Sequence, residues 1–411
     1  VKTYDAVVIG AGLAGLQCGR LLGRRGFAVL LADAKPSVDR SIHTTGIFVR
    51  RTLLDFDIPD DCLGPAVRHV TLYSPAGRAL PLESPHDEFR VGRMGPLYLR
   101  WLADCREAGV EWAPETRFAG LEMDGPESVV HLEGPRGPVA VRARFVVGAD
   151  GATSRVARAL ELDENTEWIV GVEDVLRGVD AGGPPCFHCF LDPEVAPGYI
   201  AWLVSDGEEA HLGVGGYARH FQPLDALRRF RAMAERRFGL KGAETVERRG
   251  GRIPVGGVLR RIANRRGLLT GDAAGAVSPL TAGGLDPCLR LSALAAHVAG
   301  DFLETGDEAA LAPYCGDRFR AHFRTRIAMR RAIAAVRSPL LLEMACAALR
   351  SPLLRPLAGG VFFGRGSFPD VDPGPRRLVH RPGDGGRTVR AASTERPAVH
   401  LPEAVEAEVA P

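Results

Sequence analysis

After Asp5 the chain carries a short uninterrupted apolar block, Ala6-Val7-Val8-Ile9, and Gly10-Ala11-Gly12-Leu13-Ala14-Gly15 follows at once. A fully apolar run of this length, closed by glycines, predicts a buried strand and a tight turn. From the turn to about Arg24 the apolar positions recur at helical spacing. A second apolar run, Phe27 to Ala32, then ends in Asp33. The pattern therefore predicts strand, turn, helix and strand. Two further apolar runs have the same character: Arg144 to Ala149, leading into Asp150-Gly151, and Gly267 to Thr270, leading into Gly271-Asp272-Ala273-Ala274-Gly275. Helical spacing returns over Leu97 to Cys105 and from about Asp286 to Leu303. Period-two alternation marks Val67 to Tyr73, Tyr199 to Val204 and Ala210 to Gly215 as sheet strands. Ala328 to Gly360 carries apolar helical patterns, expected to break at Pro339, Pro352 and Pro356. From about Gly366 the chain is rich in Pro, Gly, Arg and Glu with no period, which predicts a disordered tail.

Length and composition bound the fold. A chain of 411 residues exceeds one simple core and predicts two intimately connected domains and a tail. With 45% hydrophobic and 25% charged residues it has the balance of a globular protein. A formal net charge of +2 gives no basis for a nucleic-acid partner. No run of 18 apolar residues and no signal-type segment is present, so a cytoplasmic location is expected. Eight scattered cysteines fit reduced thiols better than a disulfide framework.

The chemistry concentrates in the glycine turns. In a strand–turn–helix unit of this spacing, Gly10 makes the tight turn and Gly12 lets backbone N–H groups approach a pyrophosphate. Gly15 brings the helix close to the strand, and the acid Asp33 accepts from a ribose. The positive helix end, at Leu13 and Ala14, faces the phosphates. An acid just after a strand, as at Asp272, can hold a polyol hydroxyl. Gly283-Gly284, after Pro279-Leu280-Thr281-Ala282, can open a helix whose N-terminus faces developing negative charge.

The ordered trio of motifs resembles the FAD-dependent oxidoreductases with the hydroxybenzoate-hydroxylase type of fold. That resemblance implies an α/β fold, with a discontinuous Rossmann-like FAD-binding domain, an antiparallel-sheet substrate domain and C-terminal helices. The implied FAD domain spans 1–67, 90–165 and 253–330, and the substrate domain 68–89 and 166–252. The C-terminal helices would occupy 331–365 and the tail 366–411. Cofactor contacts implied by the resemblance fall on Gly10, Gly12, Gly15, Asp33, Asp150, Gly271, Asp272, Pro279, Gly283 and Gly284, with Arg93 as a flavin-contacting arginine. It further implies NAD(P)H as electron donor, or a separate reductase.

Within that superfamily the chain is most similar to the geranylgeranyl reductase group. Three stretches carry the likeness: Asp272-Ala273-Ala274-Gly275 with Ser278-Pro279-Leu280-Thr281, Pro197 to Leu203 with His211 to Gly215, and Gly46 to Val49. Two departures stand beside them. Val204-Ser205 replace the Phe-Pro that closes the group's aromatic box, and Ser41 to Thr45 replace its cysteine-containing loop. The likeness implies reduction of C=C bonds in an isoprenoid or other apolar organic substrate. A flavin-dependent monooxygenase acting on a natural-product substrate is the alternative, and a flavin-stabilised binding protein is the non-catalytic one. A halogenase needs an active-site lysine and a Trp-x-Trp box, and Lys2, Lys35 and Lys241 do not supply the first.

Several residues have two readings. Cys186-Phe187-His188-Cys189 looks like half a metal site, but without a second Cys/His pair an alternating strand is the better account. His188 is a proton-donor candidate if that strand borders the cavity, and a satisfied structural histidine is the better reading. Tyr199 and Trp202 fit either a pocket wall or a core. Leu340 to Leu357 fits a membrane contact or, better, a buried helix pair, since Arg350 and Arg355 alone do not make a basic face.

Overall fold

A computed structural model describes residues 1–179, 182–220 and 222–363. The apolar runs form the middle of an eight-stranded sheet, in the order Ala263–Asn264, Gly267–Leu269, Gly137–Gly148, Thr3–Ile9, Val29–Ala32 and Glu111–Ala113. Its four central pairings are parallel. Strands flanked by helices on a parallel sheet are buried on both faces, which explains why they read as unbroken apolar runs rather than alternation. Arg117–Asp124 and Glu127–Gly134 extend this sheet as antiparallel strands beside the long strand Gly137–Gly148.

Helix Leu13–Arg24 packs against Met94–Glu107 and Leu285–Thr305. Arg20 lies over the buried Trp101 ring, 3.9 Å from its centroid, a contact that ties the first two helices. The tightest join is at the first turn. Gly10 has φ +101°, and a side chain there would meet the carbonyl oxygen of Ala149 at 2.3 Å. At Gly15 a Cβ would lie 1.8 Å from the carbonyl oxygen of Gly10.

The second layer is a seven-stranded sheet, in the order Glu244–Pro254, Trp168–Arg177, Glu209–Gly216, Ala201–Ser205, Cys186–Phe190, His69–Tyr73 and Ala79–Glu83. One face packs on helix Pro223–Phe238 through Leu227, Phe230, Leu212 and Val214. A three-stranded sheet of Ile47–Val49, Phe89–Gly92 and Leu63–Val67 stands apart from these two.

The run Val67 to Tyr73 is not one strand. The chain leaves the three-stranded sheet at Val67 and enters the seven-stranded sheet at His69, so unbroken alternation concealed a change of partner. At the C-terminal end, Pro339 starts helix Pro339–Leu349 and Pro352 lies between helices, as expected. Pro356 breaks nothing: it occupies the first turn of Arg355–Phe363, where its missing N–H is not needed. These helices are not the buried pair expected either. Leu340, Leu341, Met344, Leu353 and Leu357 are all exposed among the described residues. No helix among the described residues is long and apolar enough to cross a membrane. The expected tail, 366–411, lies outside the described residues.

The backbone contact at Gly15 sets a stability test. Gly15→Ala should destabilise the protein by about 1–3 kcal/mol, since backbone rather than a flexible side chain must move. Urea or thermal unfolding measures this, and a variant as stable as the parent would show that the helix can shift freely.

Candidate active site

A cavity of about 1110 Å³ opens where the two large sheets meet. Gly10, Gly12, Leu13, Ala14 and Asp33 line it together with Asp150, Asp272, Gly283 and Gly284. Sequence positions separated by more than 250 residues thus converge. The parallel strands all deliver their C-terminal ends to this side, where ligands bind in open α/β sheets.

Each acid is set differently. Asp33 accepts from the Ala11 N–H at 2.6 Å and the Lys35 N–H at 2.8 Å, which fixes it against the glycine turn. Asp150 accepts from the Ser154 hydroxyl at 2.6 Å and from the N–H groups of Arg155 and Val156 at 2.7 and 3.2 Å. It thus caps helix Arg155–Ala159, while burial still raises its pKa above the ordinary value. Asp272 has no hydrogen bond to its carboxylate among the described residues, and burial pushes its pKa up to about 6.

These features accept a dinucleotide. A Cβ at Gly12 would meet nothing within 4 Å, so the turn borders open space at this residue. The unpartnered Asp272 carboxylate supplies an acceptor for ligand hydroxyls. Helix Leu285–Thr305 starts at the Gly283-Gly284 pair and aims its N-terminus at the cavity. The turn before it holds Ala282 at φ +50°, a left-handed conformation kept in place by Ala282 N–H to Ser278 and Ser278 N–H to Gly283 bonds.

Some expected residues lie elsewhere. Arg93 is not among the cavity-lining residues, and its guanidinium pairs with Glu208 at 2.9 Å. Gly15 and Pro279 shape their turns from behind the lining. His188 does not border the cavity: its ring packs on Phe238 at 4.6 Å and its Nδ1 lies 3.0 Å from the Tyr73 hydroxyl. Burial lowers its pKa to about 4, which also argues against a proton donor. No His/Cys/Asp/Glu group among the described residues could hold a metal ion.

Tyr199 and Trp202 do line the cavity, with ring centroids 6.4 Å apart. The glycines of the neighbouring strand make room for them. A Cβ at Gly213 would lie 2.2 Å from the Trp202 ring, and one at Gly215 2.6 Å from the Tyr199 ring. The Tyr199 hydroxyl donates to the Thr281 carbonyl at 2.6 Å, linking the seven-stranded sheet to the turn before Gly283.

Sequence reasoning missed the charged groups on that wall. Glu173, Thr45 and Arg249 line the cavity, with His211 behind them. The available signal was Glu173-Asp174 inside the otherwise apolar run Ile169 to Leu176. Also missed were Arg326, which donates to the Ser278 hydroxyl at 2.8 Å, and the buried Arg330, which lies 5.1 Å from the Tyr199 ring centroid.

Comparison with known proteins agrees with this geometry. The FAD binding domain family matches residues 98–321. Digeranylgeranylglycerophospholipid reductase 1 of Methanopyrus kandleri is 32% identical over 342 residues, covering 80% of this chain and 90% of that protein. Reductase 2 of the same organism is 31% identical over 324 residues, covering 75% and 79%. Among solved structures, a geranylgeranyl bacteriochlorophyll reductase-like protein from Thermoplasma acidophilum superposes with a TM-score of 0.78. Its identity is 20%, and the match covers 89% of this chain and 98% of that one. A p-nitrophenol 4-monooxygenase from Pseudomonas putida shares the fold at a TM-score of 0.66 and 18% identity, covering 89% and 95%. With its three glycine motifs gathered on one cavity and its relatives matched over most of their length, this chain belongs to the geranylgeranyl reductase family of FAD-dependent oxidoreductases.

Proposed function

We propose that this enzyme reduces C=C bonds of an isoprenoid lipid. The observation that carries the reading is the single cavity with two kinds of wall. Its polar end, at Gly12, Asp33 and Asp272, suits a dinucleotide. Its other end, with Phe187, Ile200, Leu349, Val361, Phe362 and Phe363, suits a long apolar chain. The reductases of Methanopyrus kandleri support the same choice of substrate class.

Bound in this cavity, FAD would supply the electron pair for the reduction. The turn Gly10 to Gly15 would hold the pyrophosphate on backbone N–H groups, and Asp33 the adenosine ribose. Asp272 would accept from the ribityl chain, and the helix end at Gly283-Gly284 would stabilise negative charge on the ring system. Asp150 would act by closing the short helix behind the ring site. Tyr199, anchored on Thr281, and Trp202 would bound the reacting end of the lipid and keep water from it. The seven-stranded sheet would thus form the substrate domain. NAD(P)H is the electron donor in this reading, with a separate reductase as the other source. The exposed Leu340, Leu341, Met344, Leu353 and Leu357 support contact with a membrane surface, from which such a lipid would enter.

Two tests follow from this assignment. Anaerobically reduced enzyme mixed with a polyprenyl phospholipid should be reoxidised, with saturation of double bonds seen by mass spectrometry. Rapid mixing with oxygen instead should give plain reoxidation; a transient flavin C4a–oxygen absorbance with oxygenated product would replace this reading by a monooxygenase. The second concerns Asp272, whose folded-state pKa is raised. Such an acid favours the folded state while protonated, so stability of the flavin-free protein should fall as pH rises from about 4 through about 6. Asp272→Asn should remove that fall in urea unfolding while weakening FAD by about tenfold to a hundredfold, the worth of hydrogen bonds to a charged acceptor. An unchanged FAD titration would remove Asp272 from the flavin site.

A further inference from the structure

The wall that carries Trp202 buries a set of ionisable groups for which cofactor binding has no use. Glu173 sits on strand Trp168–Arg177, 3% exposed, and faces the cavity. The Thr45 hydroxyl donates to its Oε2 at 2.5 Å, and the Trp202 indole N–H donates to the same oxygen at 3.3 Å. Its Oε1 lies 3.4 Å from His211 Nδ1 and 3.6 Å from an Arg249 guanidinium nitrogen. On the far side of the imidazole, His211 Nε2 lies 3.7 Å from Asp206 Oδ2. The other Asp206 oxygen accepts the N–H groups of Glu208 and Glu209 at 2.9 and 2.7 Å.

The sheet imposes this line. Glu173 stands opposite Arg249 on one neighbouring strand and Gly213 on the other, and the missing side chain at Gly213 leaves room for the Trp202 ring. His211 is 2% exposed and does not line the cavity, whereas Glu173, Thr45, Trp202 and Arg249 do. The order from the cavity inward is therefore carboxylate, imidazole, carboxylate.

Charge follows from the geometry. Burial works against an imidazolium, but Asp206 and Glu173 outweigh it and hold the His211 pKa at about 9. Burial likewise opposes the Glu173 and Asp206 carboxylates, yet His211 holds both below their ordinary values, helped by Thr45 and Arg249 at Glu173 and by backbone N–H groups at Asp206. At neutral pH the array stores one proton directly behind a cavity-facing carboxylate.

We propose that Glu173, His211 and Asp206 are the proton supply of the reaction cavity, with Glu173 delivering the proton and the other two positioning and recharging it. The inference rests on the C=C reduction reading. In that reaction one carbon gains a hydrogen with its electron pair from the reduced cofactor, and the other carbon needs a proton. The proton passes from His211 Nδ1 to Glu173 Oε1 and from the Glu173 carboxyl to carbon. Once product leaves, a solvent proton entering through the cavity returns by way of Glu173 to His211 Nδ1, so the array is unchanged after a turnover. Asp33, Asp150 and Asp272 are committed to the turns and the cofactor. Glu173 differs from these acids in having a protonated imidazole behind it. Thr45 orients it, and Arg249 keeps the two carboxylates and the imidazolium electrically balanced.

The test uses the full-length FAD-loaded enzyme and a polyprenyl phospholipid, together with a spectroscopic measurement that needs no turnover. Imidazole 15N NMR, assigned by the signal that His211→Asn removes, should show His211 titrating near pH 9 in the parent. It should titrate at least one pH unit lower in Glu173→Gln. Glu173→Gln should bind FAD and be reduced anaerobically as the parent is, yet lose about 100-fold or more in kcat, the usual worth of general acid catalysis. Glu173→Asp should recover part of that loss, and Asp206→Asn should move the alkaline limb of the kcat profile to lower pH. A merely structural carboxylate would leave the pH profile in place. If Glu173→Gln does not fold, the shifted limb in Asp206→Asn carries the test. Parent enzyme that reduces no prenyl lipid overturns the functional reading and this role with it. An active parent whose Glu173→Gln variant keeps kcat within threefold, or whose Asp206→Asn variant keeps the parent's alkaline limb, overturns the proton supply alone.

Discussion

The close approach of backbone to backbone at Gly10 is the constraint from which the rest of the structure follows. The oxygen of Ala149 occupies the space where a side chain at residue 10 would be, and the oxygen of Gly10 occupies the same space at residue 15. Three segments are joined there without any side chain between them: the first strand, the helix after it and the strand that leads to Asp150. The third motif meets the same knot, because a Cβ at Gly271 would lie 2.8 Å from that of Ala14. With the strand ends locked together, the three acids must face one cavity. Any larger residue would separate the helix from the sheet and open the site.

A second, more expensive arrangement occupies the opposite wall. Taking Glu173, His211, Asp206 and Arg249 out of water costs several kcal/mol for each ion before their mutual attraction is counted. Apolar residues of the same volume would stabilise that sheet at least as well. The array is also fully integrated with the cavity lining, since the same Glu173 oxygen that receives the Thr45 hydroxyl receives the Trp202 indole N–H. Rigid placement of Trp202 and storage of a proton are therefore properties of one group of contacts. Acid–base work on an otherwise apolar substrate gives a physical reason for keeping ions where packing alone would favour hydrocarbon.

The cavity reconciles two incompatible solvents. Backbone N–H groups, a helix end and unpaired carboxylate oxygens border one end; aromatic and aliphatic side chains of the C-terminal helices border the other. Tyr199 marks the change between them, its hydroxyl tied to Thr281 and its ring beside Trp202. Helix Pro339–Leu349 gives Leu349 to this apolar end and exposes Leu340 and Leu341.

Local order along the chain already determined the central sheet, its glycine turns and the acids that follow them, because each is a contiguous signal. A buried parallel strand must be apolar throughout, and a turn with φ above zero selects glycine. The assignment of Tyr199 and Trp202 to a wall was half legible: their alternation was clear, but only the facing Gly213 and Gly215 leave room for both rings beside the cavity. Local sequence did not place Arg93 or the helices after Pro339, and left His188 between two readings, for a single reason. Which side of an element faces the site depends on its neighbours: Glu208 draws Arg93 away, Tyr73 and Phe238 enclose His188, and period alone does not say what covers Leu340 or Leu353. The Glu173–His211–Asp206 line was beyond local reading altogether. Its members come from different strands and a turn, and an ion becomes affordable in an apolar run only when strand register places its partners opposite it.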